Sequence, residues 1–112
     1  MVDASMSELL RPALYEAVMA INRANLNTKT AVDTWTVVGS VCESSDVLGK
    51  DRALALDVGD VLAVMGAGAY GFSMASNYNS RLRPAEVLCD TGTHRLIRQR
   101  EQYADLWRGE SV

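Results

Sequence analysis

Three short stretches of this 112-residue chain carry residue types that can do chemistry. In Cys42-Glu43-Ser44-Ser45-Asp46 a thiol stands beside two carboxylates. A structural cysteine usually sits among apolar neighbours, so this one reads as an acid or a nucleophile at a strand end. No histidine lies near it in sequence, and a Cys–His hydrolase, which needs a base within reach of the thiol, is unsupported. In Arg11-Pro12-Ala13-Leu14-Tyr15 a guanidinium and a phenol are four residues apart, which a helix places on one face. Together they make a carboxylate clamp, bidentate from the arginine. Taken alone, the same spacing is more often an ordinary pair on a helix surface. The third stretch, Gly66-Ala67-Gly68-Ala69-Tyr70-Gly71, matches G-x-G-x-x-G after a strand-like run. A dinucleotide fold would need a surrounding βαβ unit, and residues 72–83 lack the amphipathic period of its helix, so that reading fails on context. What survives is a glycine-rich turn whose N–H groups can approach an anion. Tyr70 at its tip is either a hydroxyl donor or an aromatic ring packed over the turn. The single histidine, His94, and Cys89, within a strand-like run, read as structural. Two cysteines and one histidine supply a zinc site poorly, and no metal is expected.

The elements that must position these groups are short. Residues 6–20 read as a helix or helix-like turn, with Ser7 as its cap and Pro12 near the start, where a missing N–H is tolerated. The apolar run 17–22 is too short to classify by period, and the polar, asparagine-containing stretch 23–32 reads as a loop. Thr34 to Cys42, rich in β-branched and aromatic residues, reads as a strand. Residues 43–51 are polar, and 52–56 alternate only weakly. Asp57-Val58-Gly59-Asp60 signals a turn, followed by a strand at Val61 to Met65. Ala85 to Cys89 and His94 to Arg100 read as two strands joined by the hairpin turn Asp90-Thr91-Gly92-Thr93, and 101–108 as a closing helix. Short strands joined by turns predict a mainly β fold, a β-sandwich or Greek-key barrel with small flanking helices.

Composition narrows the classes. The length suits one domain, and 48% hydrophobic with 22% charged residues is ordinary for a globular chain. The net charge of −3 and the absence of a long basic run give no support to a nucleic-acid binder. No stretch approaches the ~18 apolar residues of a membrane span. The N-terminus lacks the basic start and apolar run of a secretory leader, so free thiols in a reducing cytosol are the expectation.

Four segments, in order, resemble diaminopimelate decarboxylase. They are VDASMSELLRPALYEA at 2–17, VVGSVCESSDVLGKDR at 37–52, DVLAVMGAGAYGFSMASNYNSRLRPAEVL at 60–88 and THRLIRQREQYADL at 93–106. The pairing of Cys42-Glu43-Ser44 with Gly68 to Asn79 makes the resemblance specific. It implies a pyridoxal-phosphate enzyme of lysine biosynthesis that turns meso-diaminopimelate into L-lysine and carbon dioxide. It further implies an N-terminal (β/α)8 barrel carrying the Schiff-base lysine, a C-terminal β-domain spanning 1–112, and a head-to-tail homodimer. Carried over by position, Arg11 resembles the arginine that holds the distal carboxylate, and Tyr15 the tyrosine beside it. Cys42 resembles the cysteine offered across the dimer interface to protonate the substrate carbon. Glu43 resembles the residue that binds the distal ammonium, and Tyr70 the tyrosine at the edge of the cofactor and substrate site.

Ser5 and Ser45 depart from the family by standing where glycine is common, and Leu82 by standing where proline is. The two lysines, Lys29 and Lys50, do not lie in the context of the cofactor lysine. The expectation is therefore a C-terminal domain without its barrel, inactive alone. Two rivals stand beside it. One is a domain of a sister decarboxylase for ornithine or arginine; the other is a non-catalytic β interaction module.

Overall fold

A computed structural model describes residues 1–24 and 30–111. Half of the expected loop over 23–32, residues 25–29, lies outside them. Six strands are present among the described residues: β1 (Ile21–Arg23), β2 (Asp33–Val38), β3 (Val47–Leu54), β4 (Leu62–Val64), β5 (Glu86–Asp90) and β6 (Thr93–Arg98). Three short helices, α1 (Arg11–Tyr15), α2 (Gly71–Met74) and α3 (Tyr103–Leu106), and a 3-10 turn at Tyr78–Ser80 complete the set. The mainly β expectation holds. The ladders form three antiparallel pairs, β1–β4, β2–β3 and β5–β6, and do not close into a barrel.

β3 accounts for much of the shape. Trp35 pairs with Arg52, but Val37 pairs with Gly49 and Val38 with Val47, so β3 carries an extra residue at two places. Such bulges bend and twist a strand. Asp51, at φ 52°, takes the left-handed turn of one of them. A side chain at Gly49 would meet the Ile21 side chain at 2.8 Å, so β3 passes close over β1 there. The core lies at this crossing: Leu9, Ile21, Val37 and Leu48 are buried, with Met19, Leu54, Leu62 and Val64 packed around them. Only the end of the apolar run 17–22 enters β1, where Ile21 pairs with Val64.

Within 6–20, read as a helix or helix-like turn, the helix itself is the five residues of α1. Glu16 ends it at φ 52°. Ser7 does not cap it; its hydroxyl donates to the Tyr78 carbonyl at 3.4 Å. Ser5 closes the preceding turn instead, donating from its N–H and its hydroxyl to the Glu8 carboxylate at 2.6 and 2.7 Å, in the S-x-x-E spacing of a capping box. Ser5 and Ser45 are absent from the residues with positive φ, so serine in place of glycine costs no backbone strain at either position. Arg81 fastens the N-terminal segment, donating to Glu8 at 2.9 Å, to Ser40 Oγ at 3.0 Å and to the Asp3 carbonyl at 2.6 Å. The Val2 N–H donates to the Val38 carbonyl at 2.9 Å.

The β5–β6 hairpin follows expectation closely. Asp90 pairs with Thr93 across Thr91 and Gly92, both with positive φ, as a two-residue hairpin turn requires. Yet both faces of β6 are exposed, as is β5 beyond Glu86. The radius of gyration is 15.6 Å, against about 13 Å for a compact domain of this length.

Candidate active site

The structure sorts the sequence-predicted residues into two groups. In the first, α1 presents Arg11 and Tyr15 on one side, and the glycine-rich turn after β4 brings Tyr70 to the same place. The Arg11 guanidinium carbon lies 4.5 Å from the Tyr70 ring centroid and 5.6 Å from that of Tyr15. Both rings are more than half exposed. Stacking on aromatic faces holds a guanidinium in place while leaving its N–H fork for a carboxylate. No carboxylate pairs with Arg11 among the described residues.

The turn carrying Tyr70 is not a dinucleotide motif. β4 is three residues long and α2 only four, so no βαβ unit surrounds it. The next residues anchor it. Phe72 on α2 sits between Arg98, at 3.9 Å, and Arg83, at 5.1 Å. Arg98 is paired with Glu86 and Arg83 with Glu101. Glu101 also accepts from Asn77 Nδ2 at 2.6 Å and from the Arg83 N–H at 2.7 Å. The hydrogen bond from Arg83 above all holds the Glu101 carboxyl down at about 2.

The second group lies on the loop between β2 and β3. Cys42 is exposed and Glu43 half-buried. The 3-10 turn at Tyr78–Ser80 faces them. Tyr78 donates its hydroxyl to Glu43 at 3.3 Å, and Asn79 Nδ2 approaches Cys42 Sγ at 3.9 Å. The Glu43 charge, more than the hydrogen bond, raises the Tyr78 hydroxyl above the ordinary phenol range, so Tyr78 stays a donor. Asn79 and Ser80 both have positive φ, the kind of backbone outlier that collects where a turn must aim particular side chains. Glu43 and Tyr78 line a shallow groove with Met6, Ser7, Leu10 and Ser76. No hydrogen bond, ion pair or ring contact joins the two groups among the described residues.

Asp46 does not stand beside the thiol as its sequence position suggests. It turns inward, and its carboxylate accepts backbone N–H groups. Tyr78 and Asn79, part of the stretch that carries the resemblance, were given no role of their own; the cluster Asn77-Tyr78-Asn79 was the available signal, but its partners lie 35 and 37 residues away. Cys89 falls in a strand as expected, though exposed, and neither cysteine is bridged. Among the described residues no group of three or more His, Cys, Asp or Glu can hold a metal ion, and no helix is long and apolar enough to cross a membrane.

A small sheet domain with an unpaired arginine in one group and an exposed thiol beside a carboxylate in the other matches a known class. The family model of the pyridoxal-dependent decarboxylase C-terminal sheet domain covers residues 1–68, and the chain belongs to that family. Its relatives are diaminopimelate decarboxylases. That of Vibrio cholerae serotype O1 is 52% identical over 111 residues, covering 99% of this chain and 26% of the relative. That of Methanocaldococcus jannaschii is 50% identical over 107 residues, covering 95% and 24%. The crystal structure of the M. jannaschii enzyme in complex with L-lysine superposes with a TM-score of 0.91 at 47% identity, over all of this chain and 26% of that one. The Helicobacter pylori enzyme complexed with L-lysine gives 0.85 at 46% identity, over 96% and 26%. The chain spans about a quarter of the length of the curated relatives it matches.

The group of Arg11, Tyr15 and Tyr70 offers one cation and two phenols, a set chemically suited to an anionic cofactor such as pyridoxal phosphate. Tyr70 is half exposed, with its ring against the Arg11 guanidinium. Lys50 lies on β3 and belongs to neither group, so nothing in the two groups can form the cofactor's Schiff base.

Proposed function

We propose that this chain is the C-terminal domain of a diaminopimelate decarboxylase, cytoplasmic, and active only with a (β/α)8 barrel in a homodimer. One observation carries the reading: an arginine and a glutamate are both held by neutral partners and left without an ionic one. Arg11 rests on two tyrosine rings. The Glu43 carboxylate accepts only from Tyr78 and Ser44 among the described residues. The far end of meso-diaminopimelate carries one carboxylate and one ammonium, and these are their complements. Such remote contacts fix a substrate while chemistry occurs at its other end.

Pyridoxal phosphate, held by the barrel's lysine, supplies the electron sink that lets carbon dioxide leave. This chain's residues do the rest of the work assigned to it. Arg11 and Tyr15 receive the distal carboxylate, Glu43 the distal ammonium, and Tyr70 closes the edge of the site. Cys42 delivers the Sγ proton to the carbon that carbon dioxide has left. The two groups, unconnected within one chain, serve opposite sites of the dimer. Arg11 also speaks against an ornithine or arginine enzyme, because an amine-ended substrate offers no distal carboxylate to it. The exposed apolar hairpin supports a barrel as partner, since large uncovered apolar surface marks an interaction site.

The test mixes the purified chain with a diaminopimelate decarboxylase barrel and pyridoxal phosphate and measures lysine. The pair is expected to produce lysine, and the chain alone neither lysine nor a cofactor absorbance band. Turnover by the chain alone overturns the reading. In the active pair, Arg11→Ala is expected to raise the KM for diaminopimelate at least tenfold, the scale of one lost charged hydrogen-bonding partner. An unchanged KM removes the clamp assignment.

A further inference from the structure

Asp46 is 3% exposed, and the proposed function gives it no part in binding or chemistry. A carboxylate withdrawn from water needs hydrogen bonds to remain charged. Asp46 finds them on two different segments. One carboxylate oxygen accepts the Met6 N–H at 2.7 Å, and the other accepts the Val41 N–H at 3.0 Å. Its backbone closes the loop as well: the carbonyl accepts the Gly39 N–H at 2.9 Å, and its N–H donates to the Glu43 carbonyl at 3.0 Å. The cradle is tight. A Cβ on Gly39 would lie 2.2 to 2.5 Å from the Asp46 carboxylate.

Met6 belongs to the turn made by Ser5 and Glu8, which leads directly into α1. Val41 immediately precedes Cys42. One buried side chain therefore spans from the approach to the Arg11–Tyr15 helix to the loop that carries Cys42 and Glu43. Met6 and Glu43 also share the wall of one groove, so the loop lies against the segment to which it is fastened.

We infer that Asp46 is a positioning residue, whose carboxylate fixes the Cys42–Glu43 loop against the turn entering α1 so that the thiol meets one face of the substrate carbon. This rests on the proposed function, in which Cys42 is the proton donor. A donor held at one place delivers its proton to one face; a loosened loop lets solvent compete from the other. Asparagine is the informative replacement. It keeps the volume but offers one acceptor and a donating NH2, so one of the two backbone N–H groups loses its partner.

The experiment uses the enzyme assembled from this domain and a diaminopimelate decarboxylase barrel, run in D2O. The deuteron passes from Cys42 Sγ to the carbon vacated by carbon dioxide, and NMR of the derivatised lysine reports which face received it. The unaltered assembly is expected to label one face. Asp46→Asn is expected to lower kcat about 10- to 100-fold, the scale for a reacting group displaced by an ångström, to change KM by a smaller factor, and to label both faces. Gly39→Ala crowds the same carboxylate from the opposite side and is expected to label both faces too, which keeps the test alive if Asp46→Asn does not fold. A merely structural role would lower the amount of active enzyme and leave the label on one face. A one-sided label from active Asp46→Asn or Gly39→Ala enzyme overturns this inference alone. Absence of lysine from the unaltered assembly overturns the proposed function and this inference with it.

Discussion

The crossing of β1, β3 and β4 and the β5–β6 hairpin are built on opposite terms. At the crossing four apolar side chains are buried, and Asp46 and the serines of the first turn are sealed in with them. The hairpin has good ladder pairing and good turn chemistry, yet Val87, Leu88, Leu96 and Ile97 are 43 to 51% exposed. Alternate residues of a strand point to opposite faces, so neither face of the hairpin is covered. The first region is covered by its own chain, and the second is left exposed on both faces. The family model, which covers residues 1–68, coincides with the first region.

Three substitutions test that contrast. The largest effect is expected at Leu48, 2% exposed: Leu48→Ala should cost about 3 kcal/mol, the usual price of emptying a core leucine site, read as a lower midpoint in denaturant titration. A loss below 1 kcal/mol would mean that the crossing is not the stability centre. The junction between the regions comes second. Glu101 gathers Asn77 and Arg83, and Glu101→Gln should cost about 2 kcal/mol at pH 7, as for other hydrogen bonds to a charged group. Its folded carboxyl lies at about 2 against an ordinary 4.5. Its contribution is therefore fully present above the unfolded value and is lost as pH falls through about 2. The stability gap between the two proteins should close over that window, and a gap independent of pH would show that the charge is not what matters. The smallest effect is expected on the hairpin. Leu96→Ser should change the stability of the chain by no more than about 0.5 kcal/mol, the range for surface sites, while weakening its association with a barrel in sedimentation. Equal association would exclude the hairpin as the docking surface.

Local chemistry explains which features were legible in the sequence. The β5–β6 hairpin was, because Thr91-Gly92 sets its turn and β-branched or aliphatic residues flank it. β2 was found, though it stops at Val38, and Gly39 just beyond it leaves room for the Asp46 carboxylate. β3 was missed because 43–51 is polar and 52–56 alternates only weakly, its bulges breaking the alternation on which a strand reading depends. The helix or helix-like turn over 6–20 was found but drawn too long, because nothing local announces that Glu16 will turn left-handed. At the site, the family pattern supplied Arg11, Tyr15, Cys42, Glu43 and Tyr70, and the structure brought Arg11, Tyr15 and Tyr70 together. Asp46 was misread because sequence adjacency to Cys42 says nothing about direction, and Tyr78 because its partner is remote.

The fastening of the first three residues has a mechanical consequence. Val2 is stitched to Val38 and the Asp3 carbonyl to Arg81, so the backbone is already immobilised one residue after Met1. Any polypeptide joined ahead of that point would meet a stiff socket instead of a swivel. On the proposed function, the angle at which a barrel is carried would be dictated by this sheet domain, and lengthening a junction with glycines should uncouple the two bodies without touching a single side chain of either site.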